Sequence, residues 1–137
     1  MTAARDCALV MLESATYIQR ELPNVQMDDS IRATTEELCS ALVGTKHDMF
    51  TEAFELDELL AAEASESDIL VRVNRIVQWL WQDVERMHQL VTALESASKR
   101  DPAFGLAYLL IAESATNILQ AFNRTRAAAD QLKSQAG

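Results

Sequence analysis

The 137-residue chain is poor in the residues that interrupt regular structure, with three glycines and two prolines. An all-β fold needs a turn about every ten residues and draws on glycine and proline to make it, so the composition excludes that class. Alanine, leucine and glutamate, which favour helix, are abundant instead. A chain of this length is the size of one ordinary domain. We therefore predict a single all-α domain over residues 1–137.

Cysteines and long apolar runs are also scarce. Cys7 and Cys39 do not form a CxxC pair, and a disulfide framework or a zinc site needs more ligands than these two. A lone cysteine in an amphipathic segment usually behaves as a small apolar residue. The apolar residues 7–12 end at Glu13, which is too short a run for a signal-peptide core or a membrane span. We expect a cytoplasmic, reduced protein that does not enter a membrane.

Sequence patterns of catalysis are missing. The chain has no glycine-flanked serine nucleophile, no glycine-rich phosphate loop and no cysteine with a histidine nearby in sequence. Residues 85–88 have the Glu-x-x-His spacing of di-iron bundle proteins, but those proteins carry two such motifs. The other histidine, His47, belongs to none. We predict no enzyme activity, no metal site and no cofactor.

Negative charge is confined to one part of the chain, residues 28–68, which we call the acidic segment. It carries twelve acidic and two basic side chains, a net charge of −10, whereas the other residues carry nine acidic and ten basic ones, a net charge of +1. Such a one-sided field attracts basic partners and repels nucleic acid and anionic membranes. We expect a basic protein partner and no direct binding to nucleic acid or membrane.

Apolar residues at helical spacing, and the residues that interrupt them, predict four helices. Pro23 ends the first, Ser67 is the favoured cap of the third, and Asp101 followed by Pro102 opens the fourth. Gly44 is a candidate break in the second helix, and the sequence leaves open whether that helix is interrupted. The predicted bounds are residues 2–22, 28–64, 67–100, and 101 nearly to the C-terminus.

The third helix has the clearest pattern. Nine positions alternate at spacings of three and four, the period of knobs-into-holes packing; these are Leu70, Val73, Val77, Leu80, Val84, Met87, Val91, Leu94 and Ser98. At about 1.5 Å per residue the last three helices span roughly 50 Å each and the first about 30 Å. Short connections predict antiparallel neighbours. We therefore predict an elongated antiparallel four-helix bundle with a short first helix, whose uncovered surface a second copy could fill as a homodimer.

A short repeat links the first and fourth helices. The sequence Glu-Ser-Ala-Thr at residues 13–16 recurs at residues 113–116, and Leu9 and Ile18 also match the residues found 100 positions later. This pattern fits either an old helical duplication or two helices that draw on the same few residue types. In both cases the small residues at mid-helix would let the first and fourth helices approach closely.

The first candidate site is an acidic stripe on the second helix. Four carboxylates fall within an arc of about 80° at 100° per residue; they are Asp48, Glu52, Glu55 and Glu63. The stripe could be a docking face for a basic protein or a mimic of nucleic-acid phosphates. It could also be a weak divalent-cation site or an ordinary solvated face. A cation site would require convergent carboxylates and a sharp loop, and this stripe has no such loop.

The second candidate site is a basic and aromatic strip on the third helix, formed by Arg72, Arg75, Trp79 and Arg86. Tryptophan and arginine are enriched at interaction hot spots. Alternatively, Trp79 lies at the edge of the core and is covered by arginine stems. The strip could also meet the acidic helix, within one chain or across a dimer.

Together these features predict a small acidic interaction protein of the adaptor, chaperone, immunity or inhibitor type. The acidic helix would steer a basic partner, and exposed apolar groups around Phe50, Phe54 and Trp79 would anchor it. One alternative is a structural, self-assembling protein. Another is a bundle that binds a small molecule in a cavity lined by Met11, Met87, Phe104, Tyr108 and Phe122.

Overall fold

The computed structural model describes residues 1–136, and these residues form four α-helices with no β-strand. The helices are α1, Thr2–Glu21; α2, Asp29–Ala61; α3, Glu66–Arg100; and α4, Gly105–Ala136. Single 3₁₀ turns at Leu22–Asn24 and Pro102–Phe104 follow α1 and precede α4. The all-α prediction is confirmed.

The four helices contact one another as in a bundle. α1 packs against α2 and α4, and α3 packs against the same two helices. Apolar residues from all four helices form one continuous core. α1 has 20 residues whereas α2, α3 and α4 have 33, 35 and 32, so the predicted difference in helix length is confirmed.

The beginnings of α3 and α4 differ slightly from the sequence-based bounds. The Ser65 hydroxyl accepts a hydrogen bond from the Asp68 backbone N–H at 3.3 Å, so Ser65, and not Ser67, caps α3. The Asp101 carboxylate accepts a bond from the Ala103 N–H at 3.0 Å. It therefore caps the turn that leads into α4, and the α-helix itself begins at Gly105.

α2 runs through Gly44 without a break. Glycine in a helix interior costs only about 1 kcal/mol relative to alanine. Buried residues on both sides, Leu42, Thr45 and Met49, hold the helix against the core and outweigh that cost.

The end of α2 corrects the prediction for Glu63. Glu63 has φ = 52°, and its N–H bonds to the carbonyl of Leu60 while the N–H of Ala64 bonds to that of Leu59. This pair of bonds is a Schellman motif, in which the residue after the cap adopts the left-handed conformation. Glu63 therefore lies beyond the helix and does not continue the acidic stripe.

The buried face of α3 is rotated slightly from the predicted one. Nine buried positions keep a strict alternation of four and three residues, and they are Ile69, Val73, Ile76, Leu80, Asp83, Met87, Leu90, Leu94 and Ala97. The predicted members Leu70, Val77, Val91 and Ser98 are only half-buried. The predicted set of buried positions contains almost only apolar residues. The set that is buried in the folded helix includes a carboxyl group, Asp83, at its middle.

Candidate functional site

The acidic and basic candidate residues meet within one chain. A single guanidinium nitrogen of Arg72 lies 2.6 Å from a carboxylate oxygen of Glu52 and 2.6 Å from one of Glu55. Arg75 approaches the other Glu52 oxygen at 3.7 Å. We call these four residues the ion-pair cluster. Glu52 is 13% exposed and Arg72 is 23% exposed, so this contact is partly shielded from water.

The ion-pair cluster changes the expected role of its members. Its carboxylates already have cationic partners, and the hydrogen bond from Arg72 to Glu52 raises the pKa of the guanidinium, which keeps Arg72 charged. A basic partner would have to compete with Arg72 and Arg75 for Glu52 and Glu55. The main role of the ion-pair cluster is therefore to hold α2 against α3.

About two helical turns from the cluster along α2 and α3 lies a buried polar pair that the sequence did not reveal. Asp83 is 2% exposed, and one of its carboxyl oxygens lies 2.5 Å from the Thr45 hydroxyl oxygen. The same hydroxyl lies 3.0 Å from the carbonyl oxygen of Ala41. The Thr45 hydroxyl donates towards both oxygens, so its one proton is shared between the Asp83 carboxyl group and the Ala41 carbonyl.

Burial raises the pKa of Asp83, while the hydrogen bond with Thr45 and the positive charge of Arg86, 3.7 Å away, oppose the rise. Burial also raises the pKa of the Cys7 thiol to about 11; a hydrogen bond with Thr125 opposes this shift and Asp83 adds to it. The buried interior therefore holds polar groups from all four helices. At neutral pH the Cys7 thiol is protonated and is a poor nucleophile.

A groove runs between α2 and α3 on the outside of this polar pair. It consists of two adjoining depressions of about 520 and 350 Å³, and Arg86 lines both. We call it the α2–α3 groove. Its polar lining includes Glu37, Asp48, Gln82 and Asp83, and its apolar lining includes Ile31, Leu38, Trp79 and Leu90.

The structure thus brings three of the predicted residues, Asp48, Trp79 and Arg86, to one groove. Trp79 is half-buried and packs against the core. Phe50 and Phe54 are exposed on α2, but Phe50 is two residues from both Asp48 and Glu52, so it points away from them on the helix. The ammonium of Lys46 lies 5.2 Å from the centre of the Phe50 ring.

The residues predicted to line a small-molecule cavity are divided between core and surface. Met11, Met87 and Phe122 are fully buried in the common core, whereas Phe104 and Tyr108 are half-buried. Among residues 1–136, no group of three or more histidine, cysteine, aspartate or glutamate side chains is arranged to hold a metal ion.

Asp83 and Thr45 are the main residues that sequence reasoning missed. A signal was present, because the frame 69, 73, 76, 80, 83, 87, 90, 94 and 97 is as regular as the predicted one. It contains a single charged member, and a lone charge at a core position of a heptad pattern often sets the register of the helices.

No protein-family model, curated protein or solved structure matches this chain.

Proposed function

We propose that this chain is a cytoplasmic helical-bundle protein of the adaptor, chaperone, immunity or inhibitor type. In this proposal it acts by binding a basic protein partner rather than by catalysis. The supporting observation is the position of the α2–α3 groove, one wall of which belongs to the acidic segment. Carboxylates at Glu37 and Asp48 line the groove together with apolar side chains.

The groove offers a basic side chain two kinds of contact. Its carboxylates would pair with the charged end of a lysine or arginine, and the half-buried Trp79 ring would pack against the aliphatic stem or a guanidinium. Leu38 and Leu90 supply apolar contact area next to these charges. The whole acidic segment would attract the basic partner at long range, and the groove would fix the position in which the partner binds.

The test compares two neighbouring glutamates on α2. Glu37 lines the groove and Glu36 does not, and both side chains are exposed. The variants Glu37→Lys and Glu36→Lys therefore make the same change in net charge one residue apart. Each is immobilised beside the wild type and exposed to lysate of the source cells at low and moderate salt. We expect a protein that the wild type and Glu36→Lys retain, that Glu37→Lys loses, and that salt weakens.

If both variants lose the captured protein equally, only the general field of the acidic segment is involved and the groove is not the site. If neither variant loses it, the acidic segment does not bind this partner.

We also propose that the helices are antiparallel. Arg5 of α1 pairs with Asp57 near the end of α2, and Arg72 near the start of α3 pairs with Glu52. Asp28, which precedes α2, lies 3.9 Å from Arg100 at the end of α3. Each contact joins the early part of one helix to the later part of a neighbouring helix, which supports the antiparallel order.

We further propose a homodimer formed through the outer side of α4. Between Asp101 and Arg124 the chain carries one charged residue, Glu113, and three leucines of this part of α4 are exposed: Leu106, Leu109 and Leu119. The stretch Pro102–Gln135 is long and apolar enough to cross a membrane, and core helices of other proteins can have the same length and composition. The net charge of −9 favours a protein contact over an anionic membrane.

Sedimentation over a range of concentrations tests the dimer. Leu109 and Val71 are matched at 60% and 59% exposed, one on α4 and the other on α3. We expect a dimer that Leu109→Glu dissociates and Val71→Glu leaves intact. A wild type that remains monomeric, or a dimer that both variants leave unchanged, contradicts the α4 interface.

A further inference from the structure

A second groove lies between α1 and α4, and both copies of the Glu-Ser-Ala-Thr repeat face it. This α1–α4 groove has a volume of about 510 Å³. Glu13 and Ser14 line it from α1, and Glu113 and Ser114 line it from α4. The repeat, which the proposed function does not use, therefore places two carboxylates and two hydroxyls in one depression.

The two serine hydroxyls are nearly buried and have no hydrogen-bond partner within residues 1–136. Ser14 is 8% exposed and Ser114 is 3% exposed. The threonines of the same repeat behave differently, since Thr16 donates to the carbonyl of Leu12 at 2.9 Å and Thr116 donates to that of Ala112 at 3.0 Å. No fully enclosed side-chain oxygen or nitrogen lacks a partner within residues 1–136, so both serine hydroxyls open onto the groove that they line. The serine pair is therefore available to a ligand in the groove.

The charge around the serine pair indicates what kind of ligand fits. Glu13 and Glu113 are adjacent to the two serines, and an ionised carboxylate is only an acceptor. The cation that lines the groove, Arg124, is eleven residues from Glu113 along α4, or roughly 16 Å at 1.5 Å per residue. That separation is about twice the Debye length of roughly 8 Å at physiological salt. Arg20 is six residues from Ser14, and its guanidinium lies 5.3 Å from the centre of the Tyr17 ring, but it is paired with Glu21 at 3.4 Å. Glu13 and Glu113 therefore leave the serine end of the groove negative.

We propose that the α1–α4 groove binds the primary ammonium group of a small amine. An ammonium has three N–H donors and no acceptor, which complements a set of carboxylates and hydroxyl lone pairs. Val10 and Tyr17, which also line the groove, give an alkyl chain apolar surface to lie on. This site is on a different face from the α2–α3 groove and does not depend on the proposed function.

The test is an NMR titration of the full chain with butylamine and with putrescine, using butanol as the uncharged counterpart. We expect both amines to produce saturable shifts at the amides around Ser14 and Ser114, and butanol to produce none there. α2 lies across the bundle from α4 and has no substantial contact with it, so general attraction to the acidic segment would shift a separate set of resonances. Shifts confined to the acidic segment, shifts of equal size with butanol, or no shifts at millimolar amine would overturn the proposal.

Variants separate a ligand site from a structural one. Glu113→Gln should weaken amine binding about tenfold, the factor expected for losing a hydrogen bond to a charged group. Glu36→Gln makes the same charge change on α2 and should leave the affinity unchanged. The double variant Ser14→Ala/Ser114→Ala should also lose affinity without lowering the melting temperature, because it removes hydroxyls that have no protein partner. Equal weakening by Glu36→Gln, or undiminished binding to the serine double variant, counts against this site.

Discussion

At the scale of single residues, Asp83 is the group whose environment differs most from water. Its carboxyl group accepts a hydrogen bond from Thr45, lies 3.7 Å from Arg86, and acts electrostatically on the Cys7 thiol. Removing a carboxylate from water is costly unless it is paired at short range, and the 3.7 Å approach of Arg86 is longer than a hydrogen bond. Burial therefore raises the pKa of Asp83 in the folded chain, although Thr45 and Arg86 oppose the rise.

The first prediction is that Asp83→Asn stabilises the protein at neutral pH, by about 1 kcal/mol. The amide oxygen can accept the hydrogen bond that Thr45 donates to Asp83, and the asparagine side chain never has to be buried with a charge. The pKa of Asp83 is raised by folding, so the wild type gains stability as the pH falls through that raised pKa. The advantage of Asp83→Asn should therefore shrink towards acid pH.

Urea denaturation between about pH 7 and about pH 4.5 measures this difference. Asp57→Asn is the control, since Asp57 pairs with Arg5 at the half-exposed end of α2 and its loss should slightly destabilise the protein. If Asp83→Asn is less stable than the wild type at every pH, Asp83 is an ionised partner in the native state.

The second prediction concerns the ion-pair cluster. Glu52→Lys places a third cation beside Arg72 and Arg75, and we expect a loss of about 1–3 kcal/mol in unfolding free energy. Adding Arg72→Glu should recover part of the loss, because it restores opposite charges. Urea denaturation of the two single variants and the double variant gives the coupling energy. Glu58→Lys, at an exposed position of α2, is the control for the charge change alone. Additive single effects would mean that the pair is not coupled.

At the scale of helices, the end of α2 carries local strain. Glu63 is the only residue other than glycine with positive φ within residues 1–136, and it places a negative charge at the negative end of the helix dipole. Glycine is the usual residue at this position of a Schellman motif, because it has no Cβ to clash in the left-handed region.

The third prediction is that Glu63→Gly raises the unfolding free energy by about 1 kcal/mol. Glu63→Ala removes the charge but keeps the Cβ, so it should recover only the smaller electrostatic part. Thermal or urea denaturation of both variants separates backbone strain from charge. Equal effects of glycine and alanine would show that the left-handed conformation costs nothing here.

The fourth prediction is that Gly44→Ala stabilises the bundle by about 0.5–1 kcal/mol. Gly44 lies in the interior of α2, and a Cβ added there meets no atom within 4 Å. Alanine would therefore lower the entropy of the unfolded chain without disturbing the packing. Urea denaturation measures the change, and a loss of stability would indicate that the helix relies on glycine at this point.

Helix number and most helix bounds could be predicted from sequence because apolar period, proline and capping residues are local signals. The continuity of α2 could not, because the small cost of Gly44 is offset by packing with other helices. The exact set of buried positions in α3 could not be predicted either, for a related reason. A pattern of apolar residues does not reveal that a carboxyl group can enter the core when Thr45 on another helix supplies its hydrogen bond.

At the scale of the whole molecule, the sequence predicts which segment carries the negative charge but not which charged side chains form ion pairs. Two of the four predicted acidic residues, Glu52 and Glu55, pair with two of the four predicted strip residues, Arg72 and Arg75. Such pairing depends on the helix-to-helix register, which no local pattern contains. Asp48 belongs to the predicted acidic stripe and Trp79 and Arg86 to the predicted basic and aromatic strip, and the fold places the three together in the α2–α3 groove.

The fifth prediction is that moderate salt raises the stability of the isolated protein. Within residues 1–136, eight of the twelve carboxylates of the acidic segment have no cation within 4 Å; these are Asp29, Glu36, Glu37, Asp48, Glu58, Glu63, Glu66 and Asp68. Raising the ionic strength shortens the Debye length from about 30 Å at 0.01 M to about 8 Å at 0.15 M. It therefore reduces their mutual repulsion more than it weakens the partly shielded ion-pair cluster. The melting temperature should rise with salt, and a fall would mean that ion pairs dominate.

The short connections between helices bear on how quickly the chain reaches this fold. α1 and α2 are separated by residues 22–28, α2 and α3 by residues 62–65, and α3 and α4 by residues 101–104. Three of the four main helix contacts therefore join neighbours along the chain, and only the contact of α1 with α4 brings distant residues together. Little chain entropy is lost in closing such loops. We expect refolding within microseconds to milliseconds, with the α1–α4 contact among the last to form.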